Sequence, residues 1–251
     1  MTDRIHQSVP APPPGRGTGW ALLGLAVLAC VAFVRLGFWQ WDKGQEREKQ
    51  WAHFARGAEV LVDLDDGATA PIALYQRVRA SGTLDGGHQF LLDNRSYRGR
   101  PGYEVLTALT RPGAAALLVD RGWVPFTGSR RVLPEVAVTH SAPVSLTGRL
   151  SLLPSRGLAM GHAPPQGGSW PAVTSFPDMA ELAAAYGAPL EPRILLLDPG
   201  APLGYLRDWQ PPGLAPLRHY SYAIQWWSFA ALTVFLWGLL TLRKHRAAVR
   251  T

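Results

Sequence analysis

The chain has 251 residues, 25 Lys/Arg against 18 Asp/Glu, a net charge of +7 and one cysteine. A single cysteine excludes a disulfide framework and any CxxC redox or zinc site. Residues 42 to 217 hold 17 Lys/Arg and 17 Asp/Glu, so the excess positive charge lies at the two ends. A folded part with no net charge excludes a nucleic-acid-binding reading of the basic isoelectric point.

In chain order, residues 1–18 read as a disordered cytoplasmic leader, because Val9 to Gly19 (VPAPPPGRGTG) is rich in proline and glycine. The leader lacks the Arg/Ser-rich amphipathic character of an organelle transit peptide, which points to a bacterial inner membrane. From Trp20 to Val34 the thiol of Cys30 is the sole ionisable group, and the apolar run passes Arg35 to reach Trp41. About 20 helical residues cross a hydrocarbon core of ~30 Å, so residues 19–41 are expected to be a first transmembrane helix. This run exceeds the apolar core of a cleavable signal and has no small-x-small site with a polar start behind it.

Residues 42–217 are expected to form one domain with one core. Val60 to Leu64 is a short apolar run. Tyr75 to Leu84 and His88 to Arg95, separated by Asp85-Gly86-Gly87, are predicted to form a hairpin. Gly102 to Thr110 alternates, with Tyr103, Val105, Thr107 and Leu109 on one face, and Ala114 to Trp123 is continuously apolar, as a buried strand would be. Val144 to Leu150 and Arg193 to Leu197 add two more strands. The spacing of strands and turns predicts an antiparallel sheet that is barrel- or sandwich-like. One helix is expected at Met179 to Tyr186, between the cap Pro177-Asp178 and the stop Gly187. Pro154 to Gly168 is expected to be an irregular loop, and Leu203 to Pro216 extended chain.

Residues 218–242 read as a second transmembrane helix, since Tyr220 to Leu242 carries no formal charge. The tail 243–251 holds Arg243, Lys244, Arg246 and Arg250 and no acid. Such flanks stay in the cytoplasm, which also places the N-terminus inside and the domain on the periplasmic side. The predicted class is therefore membrane α+β: two terminal helices flanking a periplasmic β domain with one short helix.

Enzyme signatures are absent: the sequence has no HExxH, GxSxG, GxxxxGK or GxGxxG. Asp63, Asp65 and Asp66 lack the glycine and distal Glu of a calcium loop, and read as a solvated turn. His53, His88, His140 and His162 are scattered without metal-ligand spacing. A hydrolase built on Asp85, His88 and Asp93 lacks an activated nucleophile and an oxyanion turn, so no catalytic role is assigned.

Four groups stand out. Leu36-Gly37-Phe38-Trp39-Gln40-Trp41-Asp42-Lys43 closes the first apolar run; an aromatic belt accounts for its tryptophans but not for Gly37 or Gln40. Asp93-Asn94-Arg95 with Gly99 and Gly102-Tyr103 forms a strand end and turn. Asp120-Arg121-Gly122-Trp123-Val124-Pro125 ends a strand in a polar corner, where cation–π stacking and a tight bend are expected. His219, Tyr222, Ala223, Gln225, Trp226 and Trp227 open the second apolar run.

Together these resemble the surfeit-locus family of cytochrome c oxidase assembly factors, whose members look like LGxWQxxR, VxRGWVP and HxxYAxxW in this order. The likeness covers about residues 19 to 242, with Lys43, Ala108, Asp120 and Leu217-Arg218 as departures. The family motifs fall on Gly37, Trp39, Gln40, Arg95, Gly102, Arg121, Gly122 and Trp123. The resemblance implies a non-catalytic factor that aids entry of haem a into subunit I of haem–copper oxidases, some members receiving haem a from haem a synthase. On that reading His219 is the expected axial ligand of the haem iron, with Tyr222 and Trp226 on the same helix face. Arg35, about 9 Å into the outer leaflet by helix rise, is the expected partner of a propionate, with snorkelling to the interface as the plain alternative. The alternative function is a scaffold that holds oxidase subunits without touching haem.

Overall fold

The structure is a computed structural model that describes residues 16–57, 59–65, 72–138, 142–154, 161–165, 168–211 and 213–249. The leader, apart from its last three residues, lies outside that set, as do Asp66 and His140. The elements are α1 (Arg16–Arg56), β1 (Leu61–Asp63), β2 (Arg77–Tyr97), β3 (Arg100–Thr110), β4 (Ala116–Pro125), β5 (Val144–Ser151), β6 (Ala172–Thr174), α2 (Met179–Tyr186), β7 (Leu190–Leu197) and α3 (Pro216–Ala248). They divide into two units, Met1–Gln50 with Pro212–Thr251, and Trp51–Pro211.

In the first unit, both helices are long and apolar enough to cross a membrane. Their most apolar 18-residue stretches have mean hydropathy 2.3 and 1.5, and only 6 % and 11 % of those stretches is buried. α1 does not stop near Trp41 but continues to Arg56. The polar stretch after Trp41 is made of strong helix formers, Gln45 to Gln50, and Lys43 pairs with Glu46 at 2.8 Å one turn on. α3 opens with Pro216, whose missing N–H costs nothing in a first turn, and closes on His245 and Arg246, which suit the negative helix end.

Residues of α1 that meet α3 recur at alternating steps of three and four: Cys30, Phe33, Gly37, Gln40 and Gly44. That is the spacing of a coiled-coil seam. Small residues make the approach close. A Cβ at Gly37 would overlap the Trp227 indole, and one at Gly44 would sit 2.5 Å from the Tyr220 ring. Opposite them, Ala223 and Ala230 are buried. Close backbone packing of this kind, through small residues on facing helices, is one that also serves helices in an apolar medium, where burial of apolar surface offers little drive.

The second unit is a seven-stranded mixed sheet with one short helix. The expected antiparallel sheet is corrected here: β7 lies between β4 and β5, parallel to β4 and antiparallel to β5, and β1 and β6 also run parallel to β2. The cause is the passage through α2, which crosses over and delivers β7 in the same direction as β4. The expected hairpin at Asp85-Gly86-Gly87 is also corrected. β2 is one strand of 21 residues. Its first half pairs with β5 from Arg77 to Gly82, and its second half with β3 from Thr83 to Tyr97. The glycines sit in a register shift between Leu84 and Gln89, where the Asp85 carboxylate accepts from Gly87 N at 3.0 Å. The turn that does reverse the chain is Arg98-Gly99, both at positive φ.

Both faces of β4 are buried. Leu117 and Val119 join one cluster with Val78, Leu109 and Leu146, while Leu118 joins another with Phe90, Ile194 and Leu182 of α2. That accounts for its unbroken apolar run. α2 is fixed at both ends by local chemistry: Asp178 and Glu181 form a reciprocal capping box, and Gly187 takes φ 81°. The family departure Ala108 is fully buried in the second cluster.

Candidate functional site

In the helical unit the seam carries one polar contact between the two sequence groups. His219 Nδ1 lies 2.9 Å from Gln40 Oε1. An amide oxygen accepts only, so Nδ1 carries the proton and Nε2 of the neutral ring is left with its lone pair free. About two turns along the seam from this pair, roughly 10 Å by helix rise, is a group of rings: Phe33 stacks on Trp226 with centroids 5.8 Å apart, and Phe229 meets both, at 5.7 and 5.9 Å. Tyr222 is half exposed, and helical spacing puts it on the side of α3 that carries His219 and Trp226. The opposite flank holds a second aromatic group, in which Trp41 packs on Tyr220 at 4.8 Å and on Trp227 at 5.8 Å. Phe38 completes that group against Trp227 at 5.4 Å.

Arg35 and Trp39 are not drawn into the seam. At 100° per residue, Arg35 lies about 160° round α1 from Gly37. It is exposed and makes no ion pair or hydrogen bond among the described residues. Trp39 is exposed as well.

In the sheet unit the Arg-Gly-Trp corner is a buried brace. Arg121 is only 4 % exposed. Its Nε donates to Leu203 O at 2.6 Å, one terminal nitrogen to Val136 O at 3.0 Å, and the other to the Tyr205 hydroxyl at 3.4 Å. The expected cation–π contact exists, but the ring is Tyr205, 4.8 Å from the guanidinium carbon, and not Trp123. Trp123 packs on Tyr97 instead, at 5.6 Å, and covers Gly102, where a Cβ would overlap its indole. Gly122 has φ 107°, and a Cβ there would lie 2.6 Å from Leu206 O, so both backbone angle and space demand glycine. The chain from Leu203 to Leu206 docks here by main-chain bonds, Tyr205 N to Arg121 O at 2.6 Å and Trp123 N to Leu206 O at 2.8 Å.

The corner also contains carboxyls that motif reasoning did not single out as a pair. Glu104 forms an ion pair with Arg95 at 3.0 Å, and Arg95 also lies over the Phe176 ring. Asp120 is fully enclosed and accepts from Gly122 N at 3.0 Å. Burial, with the Glu104 charge close by, pushes the Asp120 carboxyl well above its ordinary value of 3.8. Burial also raises Glu104, against the pull of Arg95. Arg121 is lowered by burial while Tyr205 opposes that shift.

The residues weighed for hydrolysis are split. His88 Nδ1 lies 2.9 Å from Asp85 Oδ2, which also accepts from Tyr186 OH at 3.2 Å. Burial and that carboxylate push Tyr186 up to about 12. Asp93 is bound instead to Arg130. His162 pairs with Glu181 at 2.9 Å, and the described residues contain no group of three metal-ligating side chains.

The chain matches the SURF1 family over residues 27–231, from within the first apolar helix to within the second. Uncharacterized SURF1-like proteins of Mycobacterium bovis and Mycobacterium tuberculosis are 31 % identical to it over 242 residues, which is 92 % of this chain and 87 % of theirs. The matched span contains the His219–Gln40 seam and the buried Arg121 corner, and the chain belongs to the SURF1 family.

Proposed function

We propose that this protein is a membrane-anchored assembly factor of haem–copper cytochrome oxidase that aids insertion of haem a into subunit I. In this reading both helices span a bacterial inner membrane, the sheet unit lies on the periplasmic side, and the partners are subunit I, haem a synthase and lipid. The observation that carries the haem part is the bond of His219 Nδ1 to Gln40 Oε1 at 2.9 Å. Haem a would supply an iron, and His219 would hold it through its imidazole. The residues fit such a group: in the neutral ring this bond leaves the lone pair on Nε2, and Gln40 fixes tautomer and ring orientation, as second-shell partners of ligating histidines do. Phe33, Trp226 and Phe229 offer an apolar, aromatic surface that begins two turns along the seam from His219, and helical spacing puts Tyr222 between them on the same side of α3. Arg35, on the far side of α1, is assigned no contact with this group.

The test is co-expression with haem a synthase, purification, and quantification of bound haem a with its absorption spectrum. His219→Ala should lose the haem and the spectrum. Gln40→Leu should weaken haem a affinity by about 10- to 100-fold, the usual effect of removing a second-shell partner. Arg35→Gln should match wild type. If His219→Ala retains full haem a with a native spectrum, the imidazole is no ligand, and the protein acts as a scaffold for oxidase subunits.

A further inference from the structure

A cleft of about 320 Å³ opens over the register shift of β2, between the segment Leu133–Ala137 and Trp170-Pro171. Its floor includes Gln89, which is 3 % exposed. Gln89 Nε2 donates to Gly86 O at 3.2 Å, but its Oε1 is buried without a partner among the described residues. A buried amide acceptor without a donor is destabilising, so this atom calls for an N–H from elsewhere.

The wall beside it has the properties of a free strand edge. Pro134 fixes its own φ and holds Leu133 extended. The Val136 carbonyl accepts from Arg121 at 3.0 Å, which turns that group toward the domain. The carbonyls of Glu135 and Ala137, on either side of Val136 in the chain, take no bond from Arg121. Neither has a partner among the described residues, and nor does the Glu135 N–H; the Ala137 N–H is held by the Glu135 carboxylate at 3.0 Å. At about 3.3 Å per residue, Leu133–Ala137 offers roughly 13 Å of edge, the length of a short strand. Beyond Leu133 and Pro171, which line both, a second cleft of about 370 Å³ continues along β2 toward Asp93.

We infer that this cleft binds an extended polypeptide segment of a partner protein by strand addition along Leu133–Ala137, with one main-chain N–H of the partner donated to Gln89 Oε1. A polypeptide is the one ligand class that presents alternating donors and acceptors at the spacing of an unpaired edge and an N–H for the buried amide. Trp170 and Pro171 form the opposite wall, against which apolar or proline side chains of such a segment pack. The inference stands apart from the haem reading, which concerns the helices.

The test uses the full-length protein in detergent micelles and a displayed library of random peptides. Peptides enriched against wild type should bind in fluorescence anisotropy. Their affinity should fall about five- to tenfold in Gln89→Leu, the effect of one lost hydrogen bond. Glu135→Pro removes an N–H with no intrachain partner and should weaken them by a similar factor, with circular dichroism checking the fold of both variants. On unaltered protein, N-methylation of alternate peptide amides should abolish binding, while methylation of the intervening ones should not. If no peptide is enriched over a scrambled library, or if neither variant nor methylation pattern changes binding, Gln89 Oε1 is met by water alone and the inference is overturned.

Discussion

Removal of the Arg121 guanidinium should unfold the corner of the sheet unit well before the rest of the molecule is affected. The side chain closes three segments onto one another: the chain at Leu203–Tyr205, the wall at Val136, and β4 itself. Arg121→Met keeps much of the aliphatic volume but leaves the Leu203 and Val136 carbonyls without their donors. Each orphaned buried carbonyl costs about 1–3 kcal/mol. The lost stacking on Tyr205 adds about 0.5–2 kcal/mol, and the avoided burial of a charge offsets part of the sum. A net loss of about 3–4 kcal/mol follows, or roughly 6–16 °C in melting temperature for a unit of this size. Arg121→Lys should fall in between, because an ammonium cannot reach both carbonyls at once. Tyr205→Phe should cost only about 1 kcal/mol. The assay is thermal unfolding of the full-length protein in detergent, followed by near-ultraviolet circular dichroism, which reports Trp123 and Tyr205 packing. A melting temperature for Arg121→Met within about 2 °C of wild type would refute the reasoning and leave Arg121 as an ornament of the motif.

Other expectations follow from the same geometry. A carboxyl raised in the folded state stabilises fully below its unfolded value and loses that contribution as pH rises through the folded value, so wild-type stability should decline from about pH 4 toward neutrality. Asp120→Asn should flatten that decline and melt higher at neutral pH; an unchanged slope would place the effect elsewhere. Gly37→Leu should push Trp227 out of the seam at a cost of about 1–3 kcal/mol. It should also reduce oxidative cross-linking of Cys30 to a cysteine introduced by Ala230→Cys, whereas Gly24→Leu, with open space around it, should not. A reporter that fluoresces only in the cytoplasm should light up when fused after Thr251 and stay dark when inserted at Gly128; the reverse would overturn the orientation.

What could be read from sequence was what is decided locally. α2 was legible end to end because Asp178, Glu181 and Gly187 carry their cap chemistry within one or two turns. β4 was legible because burial on both faces removes alternation. The break at Asp85-Gly86-Gly87 misled because the same residues serve a hairpin turn and a bulge, and only the distant partners, β5 and β3, decide between them. Parallel pairing of β7 with β4 is likewise set by a crossover, and the three residues of β6 are too few for a periodic signal. At the candidate site, Gln40 and His219 stood out in separate motifs, but their contact depends on how two helices face each other. Arg35 was placed by depth, which says nothing about azimuth. The Glu104–Asp120 pair was hidden because the two carboxyls come from different strands, β3 and β4.

The position of β7 bears on how the chain acquires its structure. Strands β2, β3 and β4 can pair as each is made, since short turns join them. β4 and β5, however, find their shared neighbour only in Leu190–Leu197. Until that segment is synthesised, two hydrogen-bonding edges stand open, and pairings of this sequence separation form slowly. The second apolar helix begins at Pro216, soon after β7 ends. Closure of the sheet and synthesis of the second apolar helix therefore fall in the same interval of biosynthesis, when a nearly complete chain still exposes strand edges to chaperones, proteases and other chains.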